Sequence, residues 1–251
     1  MTNLFRAAWL RFEDPLALLL RARTKLYSLW LSSTYPFASI GRNLSVHFPC
    51  DLRRPWASQI KIGNSVIIGK DATLLMACYD VKRVKLEIDD NCVIGARCVI
   101  SAKNLIHIEQ NVITGTAVLI QDHQHVHEHS DLPIRAQGVT HGGRIRIEQG
   151  CWIGHGAVII CNEGEIVIGH NSVVGANSVV ARSVPPYSVI IGNPGIVLKQ
   201  FDAAKVRNDS EADRAIATLT PNDSGKDNTL CPWSPSLHKA EELTALVAQS
   251  V

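Results

Sequence analysis

An aliphatic residue followed by Gly, Asp or Glu recurs every six residues through the middle of this 251-residue chain. The pairs are Ile62-Gly63, Ile68-Gly69, Ile88-Asp89, Ile94-Gly95, Ile108-Glu109, the degraded Thr114-Gly115, Ile147-Glu148, Ile153-Gly154, Ile168-Gly169 and Val174-Gly175. A period of six fits neither an α-helix nor an alternating strand, but it fits a short strand followed by a turn. Three such units make one triangular coil, and stacked coils bury a column of Ile and Val. The repeat predicts an all-β protein built as a parallel β-helix, with glycine supplying a positive φ at the corners.

Distances between equivalent residues of successive coils locate two insertions. Ile62 and Ile88 are 26 residues apart, and Ile108 and Ile147 are 39 apart, whereas three units need only 18. The first excess predicts an insertion near Val81 to Leu86. The second predicts an extruded loop over 122–142, which contains most of the histidines of the repeat region.

The repeat is flanked by two other segments, so we divide the chain into a helical segment (1–40), the β-helix (41–200) and a C-terminal tail (201–251). The tail is polar and is expected to be partly disordered, with a short helix near Leu237 to Val247. Asp14 and Pro15 predict the N-cap and first position of a helix that ends before Pro36. One side of this helix is apolar and the other is basic or polar: Leu16, Leu19, Leu20, Leu26, Tyr27 and Trp30 against Arg21, Lys25 and Ser28. The apolar side is predicted to pack against the first coils or a neighbouring subunit, with a membrane surface as the alternative.

The composition argues against several kinds of protein. A formal net charge of +2 and an aromatic content of 6% argue against nucleic-acid binding. The longest apolar run near the N-terminus, Leu16 to Leu20, is too short to span a bilayer and no signal-peptide pattern accompanies it, so a cytoplasmic location is expected. Of the 7 cysteines, those at small-residue positions of the repeat are predicted to be reduced, structural thiols.

Several motifs resemble those of a known family, chiefly within Gly143 to Lys199. They are the Trp152-Ile-Gly motif, the run Asn171-Ser-Val-Val-Gly-Ala-Asn-Ser-Val-Val180, Pro185-Pro186 and Gly192-Asn-Pro194, together with Asp122-His-Gln-His125 and Leu132-Pro-Ile134. They resemble the hexapeptide-repeat acyltransferases, in particular galactoside and maltose O-acetyltransferases and bacterial capsule and lipopolysaccharide O-acetyltransferases. The resemblance covers about Ile60 to Lys199. It implies a left-handed β-helix, a homotrimer with active sites between subunits, acetyl-CoA as acyl donor and no metal.

The resemblance also implies roles for individual residues. The catalytic base of such proteins corresponds to His123, with His125 as the second candidate. The motif tryptophan that lines the site corresponds to Trp152, and the coenzyme A positions along the C-terminal coils correspond to Ala176, Ala181, Arg182 and Lys199. The sequence departs from the family pattern at two places near the expected coenzyme A site. Gly195 and Ile196 stand where relatives often carry a basic residue, and the Cys161–Glu165 corner is longer than usual.

Transfer of an acetyl group from a thioester to an alcohol needs a base and donors for the oxyanion, and histidine suits the first task at neutral pH. The expected acceptor is a hydroxyl of a sugar or surface polysaccharide, with the polar residues Asp131, Arg135, Gln137 and Arg144 available near the loop. An N-acetyltransferase acting on an amino sugar is one alternative. Another is a metal enzyme like the γ-class carbonic anhydrases, because His123, His125, His127 and His129 alternate and would share one face of an extended segment.

Overall fold

The computed structural model describes residues 14–77, 83–129 and 131–202. This part of the chain forms six coils of three short strands each: β1 (Ser39–Ile40), β2 (Ser45–Val46), β3 (Cys50–Leu52), β4 (Ile60–Ile62), β5 (Ile67–Ile68), β6 (Ala72–Met76), β7 (Leu86–Ile88), β8 (Val93–Ile94), β9 (Val99–Ala102), β10 (Leu105–Ile108), β11 (Ile113–Thr114), β12 (Leu119–Gln121), β13 (Arg144–Ile147), β14 (Trp152–Ile153), β15 (Val158–Ile160), β16 (Glu165–Ile168), β17 (Val173–Val174) and β18 (Val179–Val180). Each of these strands pairs in parallel with the strand three positions away in the chain order, which gives three sheets that begin with β1, β2 and β3. The predicted left-handed parallel β-helix is confirmed.

Equivalent aliphatic residues of the first sheet stack in register. Ile62 pairs with Ile88, Ile88 with Ile108, Ile108 with Ile147 and Ile147 with Ile168. All five side chains are buried. Burying one such side chain stabilises the fold by about 1.5–3 kcal/mol, so each residue of the column contributes to the stability of the coils.

The cysteines of the repeat belong to the same core. Cys92, Cys98 and Cys151 are buried and form no disulfide. Desolvation raises the pKa of Cys92 and Cys151 to about 11, so both thiols stay protonated near neutral pH. They serve as small core side chains, as predicted.

The repeat glycines correct one expectation, because Gly95 and Gly154 do not have a positive φ. A Cβ at Gly95 would instead collide with the carbonyl oxygen of Gly115 on the next coil. Close approach of the backbones therefore requires glycine there. The positive φ values fall further along each corner, often on asparagines such as Asn91 and Asn171, whose side chains tolerate this conformation.

The first coil, β1 to β3, lies outside the pairs that the repeat predicted. Its core positions include Val46, which is followed by His47 instead of Gly, Asp or Glu. A 3₁₀ helix, Arg54–Gln59, connects this coil to the second. Of the insertion predicted near Val81 to Leu86, residues 81 and 82 lie outside the described part of the chain, and β7 begins at Leu86.

A helix, α1 (Pro15–Thr34), precedes the first coil. Asp14 caps it as predicted, because its Oδ1 accepts a hydrogen bond from the Leu16 amide at 3.0 Å. The side that packs on the coil, however, is not centred on the predicted apolar side, of which Tyr27 is partly buried against the core. Thr24, Ser28 and Leu31 are buried, and Ser28 Oγ accepts a hydrogen bond from the Val46 amide at 2.8 Å.

The leucines and the tryptophan of the predicted apolar side of α1 are instead exposed. Leu19 and Leu26 are each 67% exposed, and Trp30 is 50% exposed. Small side chains allow the helix to approach the first coil closely, which explains why Thr24 and Ser28 face it. The leucines are thus left available to a surface outside the described part of this chain.

A hairpin follows the sixth coil. β19 (Ser188–Ile191) pairs in parallel with β17, and β20 (Ile196–Gln200) pairs antiparallel with β19. The tail from residue 203 onward, with the helix predicted near Leu237 to Val247, lies outside the described residues. Among the helices that are described, none has the length and apolar character needed to cross a bilayer.

Candidate active site

The extruded loop lies between β12 and β13 and folds back on itself. His125 and Val139 form an antiparallel bridge. Next to it, the Thr140 amide donates to the Gln124 carbonyl at 2.8 Å, and the Gln124 amide donates to Thr140 Oγ1 at 3.0 Å. A one-turn helix, α2 (Ile134–Gln137), lies between the two arms. The loop is therefore held by its own contacts, and its two ends meet at the corner between the third and first sheets.

Asp122, the first residue of the loop, is fully buried. Its Oδ1 accepts a hydrogen bond from the Lys103 amide at 2.7 Å, and its Oδ2 accepts from the amides of Asn104 at 2.7 Å and Leu105 at 3.1 Å. Its main-chain oxygen accepts from the Gly143 amide at 2.7 Å. A buried carboxylate needs such hydrogen bonds to offset its desolvation. This set of contacts, the Asp122 cradle, fixes both ends of the loop to the coil.

His123 lies beside this cradle and is only 8% exposed. Its Nδ1 is 3.0 Å from Asp122 Oδ1. Because an ionised carboxylate can only accept, the proton of the neutral ring resides on Nδ1 and Nε2 carries the lone pair. Gly142 packs against the same side chain, since a Cβ at Gly142 would lie 3.3 Å from His123 Cβ. The ring therefore has a fixed tautomer and a rigid position, as a general base requires.

The other three histidines of the alternating run do not join His123. His125, His127 and His129 are exposed, and the Nδ1 atoms of His125 and His127 face main-chain carbonyls of the loop at 3.3 and 3.2 Å. Within the described residues of one chain, no group of three His, Cys, Asp or Glu side chains is placed to hold a metal ion.

An open groove of about 540 Å³ runs along the corner where the loop begins and ends. It is lined by Arg83, Val84, Lys85, Lys103, Asn104, Leu105, Gly142, Gly143, Arg144 and Gly164. Lys103 contributes more than its amide, because its Nζ also donates to the Thr140 carbonyl of the loop. The groove and the Asp122–His123 pair therefore share one wall.

Two of the residues matched to the coenzyme A site lie on the same edge as the loop. In the third sheet Gln121 pairs with Ile160, and the neighbouring Ile159 pairs with Val180. This register places Ala181 and Arg182, which follow Val180, two coils beyond the start of the loop. Arg182 is exposed there.

The remaining matched residues lie elsewhere on the chain. Trp152 is on β14 of the second sheet and is 52% exposed. Ala176 is at the corner between the second and third sheets, and Lys199 is on β20, with its Nζ 4.5 Å from the centroid of the Phe201 ring. One chain therefore does not bring the two groups of residues together.

The sequence pattern did not single out Lys103 and Asn104, although their amides hold Asp122. A signal was present, because Asn104 stands 18 residues before Asp122, which is one coil of three units. This spacing places the corner that precedes β10 beside the residue that follows β12. An acidic residue that ends a strand at this spacing is a candidate to cap the preceding corner.

The chain is similar to known proteins in sequence. A family model for the hexapeptide repeat of succinyl-transferase matches residues 85–118 and 144–182. A probable acetyltransferase of Mycobacterium tuberculosis is 28% identical over 160 residues, which are 64% of this chain and 49% of that protein. A protein of Schizosaccharomyces pombe, also named as an acetyltransferase, is 30% identical over 98 residues, which are 39% of this chain and 44% of that protein. The chain thus spans about half the length of these relatives, or less.

Among solved structures, the N-acyltransferase AntD of Bacillus cereus, crystallised with dTDP and coenzyme A, has a TM-score of 0.59 at 19% identity. The match covers 75% of this chain and 96% of that chain. At this identity the likeness concerns the fold. In its repeat, its coils and its sequence relatives, this chain resembles the hexapeptide-repeat acetyltransferases.

Proposed function

We propose that this protein is an acetyl-CoA-dependent O-acetyltransferase that acts on a hydroxyl of a sugar or surface polysaccharide. The observation that carries the proposal is the Asp122–His123 pair, in which a buried carboxylate fixes the ring at the rigid start of an extruded loop. The sequence relatives named as acetyltransferases support the same class of reaction. His123 acts as the general base in a complex that holds donor and acceptor together.

In this mechanism Nε2 of His123 takes the proton of the acceptor hydroxyl while its oxygen attacks the thioester carbonyl. A C–O bond forms, the C–S bond then breaks, and the imidazolium returns its proton to the departing thiolate. Asp122 stabilises the imidazolium between these two steps. Because the thioester is already activated and both substrates are held together, no Ser or Cys nucleophile is needed.

Acetyl-CoA is the expected acyl donor. Arg182 and Lys199 supply cations for its phosphates, and the exposed indole of Trp152 supplies an apolar surface. Ala176 and Ala181 are small enough to let the donor approach the backbone. AntD, which has a similar fold, was crystallised with coenzyme A.

The active form is proposed to be a homotrimer with a site shared between two subunits. The reason is that His123 and Arg182 lie on one edge of the chain while Trp152 lies on another sheet. Mixing the inactive variants His123→Ala and Trp152→Ala tests this, because random mixed trimers would restore about a quarter of the intact sites. The shared site would be ruled out if light scattering showed a monomer that has full activity, or if mixing the two variants restored no activity.

The proposed location is the cytoplasm, at the inner surface of the membrane. The exposed leucines of α1 would meet lipid, and Arg21, Arg23 and Lys25 lie on the same helix for attraction to anionic headgroups. The full chain should float with phosphatidylglycerol vesicles, and the Leu19→Ser/Leu26→Ser variant should not. Leu132→Ser, at an exposed loop leucine, is the matched control. Equal flotation of all three proteins, or none for the full chain, would contradict this location.

The reaction itself is tested by incubating the protein with acetyl-CoA and a panel of glycans, amino sugars and sugar nucleotides. Thiol release and product mass would show transfer, and mild alkali would distinguish an alkali-labile O-acetyl ester from a stable N-acetyl amide. An amide product would favour the N-acetyltransferase alternative. Activity lost on chelation and restored by zinc would favour a metal enzyme.

A further inference from the structure

The corner between β9 and β10 contacts both ends of the extruded loop through one residue. The main-chain amide of Asn104 donates to Asp122 Oδ2 at 2.7 Å, where the loop begins. Its side-chain Nδ2 donates to the His141 carbonyl at 2.9 Å and to the Gly143 carbonyl at 3.2 Å, where the loop ends. A carboxamide nitrogen carries two protons, so it can serve both carbonyls. These side-chain contacts, the Asn104 clamp, tie the end of the loop to the corner that holds its start.

The residue between the two clamped carbonyls is Gly142, which lies against the proposed base. A Cβ at Gly142 would be 3.1 Å from Asn104 Nδ2 and 3.3 Å from His123 Cβ. Its φ of +76° is a conformation that glycine adopts without strain. The backbone at Gly142 therefore fills the space between the Asn104 carboxamide and His123. If the end of the loop moved outward, His123 would lose its support on this side.

His123 has other supports that do not depend on the Asn104 side chain. Its Nδ1 is 3.0 Å from Asp122 Oδ1, and its main-chain carbonyl accepts a hydrogen bond from Gln121 Nε2 at 2.5 Å. Both contacts come from the residues directly before His123 in the chain. The Asn104 clamp adds support from the opposite end of the loop, so the ring is held from two directions.

The side chain of Asn104 can be removed without disturbing the core or the Asp122 cradle. Asn104 is exposed and lines the open groove together with Gly142 and Gly143, so its truncation leaves no buried cavity. An alanine at this position keeps the main-chain amide that serves Asp122. The carboxamide is also uncharged, so its loss leaves the charge around His123 unchanged. A defect in the variant would therefore report the clamp itself.

We propose that Asn104 is a positioning residue for the acetyl transfer: its carboxamide holds the end of the loop so that Gly142 keeps His123 in place. This inference rests on the proposed function, because Asn104 acts through the proposed base. A reacting group that is misplaced by about 1 Å can cost on the order of 10²-fold in rate. A residue that acts on this distance alone lowers kcat and leaves the affinity for acetyl-CoA unchanged.

The first experiment needs no acceptor and measures amide hydrogen exchange by mass spectrometry. The peptide that contains Gly143 should exchange at least about tenfold faster in Asn104→Ala, because the Gly143 amide donates to the Asp122 carbonyl while the loop end is in place. Asn64→Ala is the matched control. Asn64 is another exposed corner asparagine, and its Nδ2 donates to Asp90 at 3.1 Å, away from the loop. Its replacement should leave the exchange at Gly143 unchanged.

The second experiment measures kcat and the KM for acetyl-CoA, with a glycan, amino sugar or sugar nucleotide that the unmodified protein acetylates. Asn104→Ala should lower kcat about 10- to 100-fold and change the KM for acetyl-CoA by less than about twofold. Asn104→Asp keeps the shape but has no donor, so it should be at least as slow. Asn104→Gln keeps both donors beside the open groove and should restore kcat to within about fivefold of the unmodified protein. Asn64→Ala should stay within about twofold.

A His123→Ala background separates a positioning role from a general one. Asn104→Ala should lower kcat little further in that background, because a missing ring cannot be misplaced. A full further loss there would overturn the inference. So would unchanged exchange at Gly143 in Asn104→Ala, a near-normal kcat in Asn104→Ala or Asn104→Asp, or an equal loss of kcat in Asn64→Ala.

Failure of the inference and failure of the proposed function give different results. If kcat collapses in His123→Ala but stays near normal in Asn104→Ala, the proposed function stands and the positioning role is wrong. A near-normal kcat in His123→Ala would remove the base, and the positioning role with it. Transfer to none of the acceptors, with exchange at Gly143 still faster in Asn104→Ala alone, would count against the proposed function and support the clamp.

Discussion

The coils and the extruded loop are held together by different kinds of contact. In the coils one interaction repeats, isoleucine on isoleucine, in each of the strand pairs from Ile62 to Ile168. In the loop each contact occurs once: the Asp122 cradle, the bridge of His125 to Val139 and the bond from Lys103 to Thr140. The coils therefore provide a rigid frame with many equivalent parts, while the proposed chemistry depends on a few contacts without a substitute.

The largest effect is expected at the start of the loop. His123→Ala should lower kcat by about 10²- to 10⁴-fold with little change in acetyl-CoA affinity, because a base acts on the transition state. His125→Ala, at an exposed ring two residues further on, should cost much less. Steady-state kinetics and acetyl-CoA calorimetry on both variants decide the matter. A near-normal kcat in His123→Ala with a collapse in His125→Ala would reverse the assignment.

The frame should be most sensitive where two coils touch through their backbones. Gly95→Ala should lower the free energy of unfolding by more than about 3 kcal/mol, because the new Cβ meets the Gly115 carbonyl. Gly138→Ala, in the loop, meets no atom within 4 Å and carries only the strain of its positive φ, about 1–3 kcal/mol. Thermal unfolding of the two variants gives the comparison. Equal losses would mean that the coils relax more easily than their packing indicates.

Removing the charge of Asp122 should affect both regions at once. Asp122→Asn replaces an acceptor by a donor facing backbone amides, so kcat should fall about 10- to 100-fold as the ring loses its orientation and stability should fall by about 1–3 kcal/mol. Asp51→Asn, an exposed aspartate of the first coil, is the control. In a His123→Ala background, Asp122→Asn should lower kcat little further. Additive losses would show that Asp122 does not act through His123.

The smallest effect is expected inside the frame, at Gln59. This side chain is fully buried, and neither its Oε1 nor its Nε2 has a hydrogen-bond partner among the described residues. Gln59→Leu should raise the free energy of unfolding by about 1 kcal/mol, because an unpaired polar group becomes apolar. Gln149→Leu, at an exposed residue bonded to Gln110, should give no gain. A loss of stability in Gln59→Leu would indicate a partner outside the described residues.

The fold was predictable because each coil repeats the same short sequence pattern, so that pairs such as Ile88-Asp89 and Ile94-Gly95 indicate where a strand ends and a corner begins. The orientation of α1 was not, because hydrophobicity alone favours burial of Leu19 and Leu26, whereas close approach favours Thr24 and Ser28. The open groove was also beyond prediction. Its residues are far apart in sequence and become neighbours only through a coil register interrupted by two insertions of unequal length.

The contact of α1 with the first coil has a consequence for assembly. β2 pairs with β5 on one side only, so its other edge is a template on which another chain could add a strand. The Ser28 hydroxyl occupies one position of that edge by accepting the Val46 amide, and the helix lies over the same end of the coils. α1 therefore works as an end cap against fibre-like stacking of one β-helix on another, and Ser28→Ala should make the protein more prone to end-to-end association.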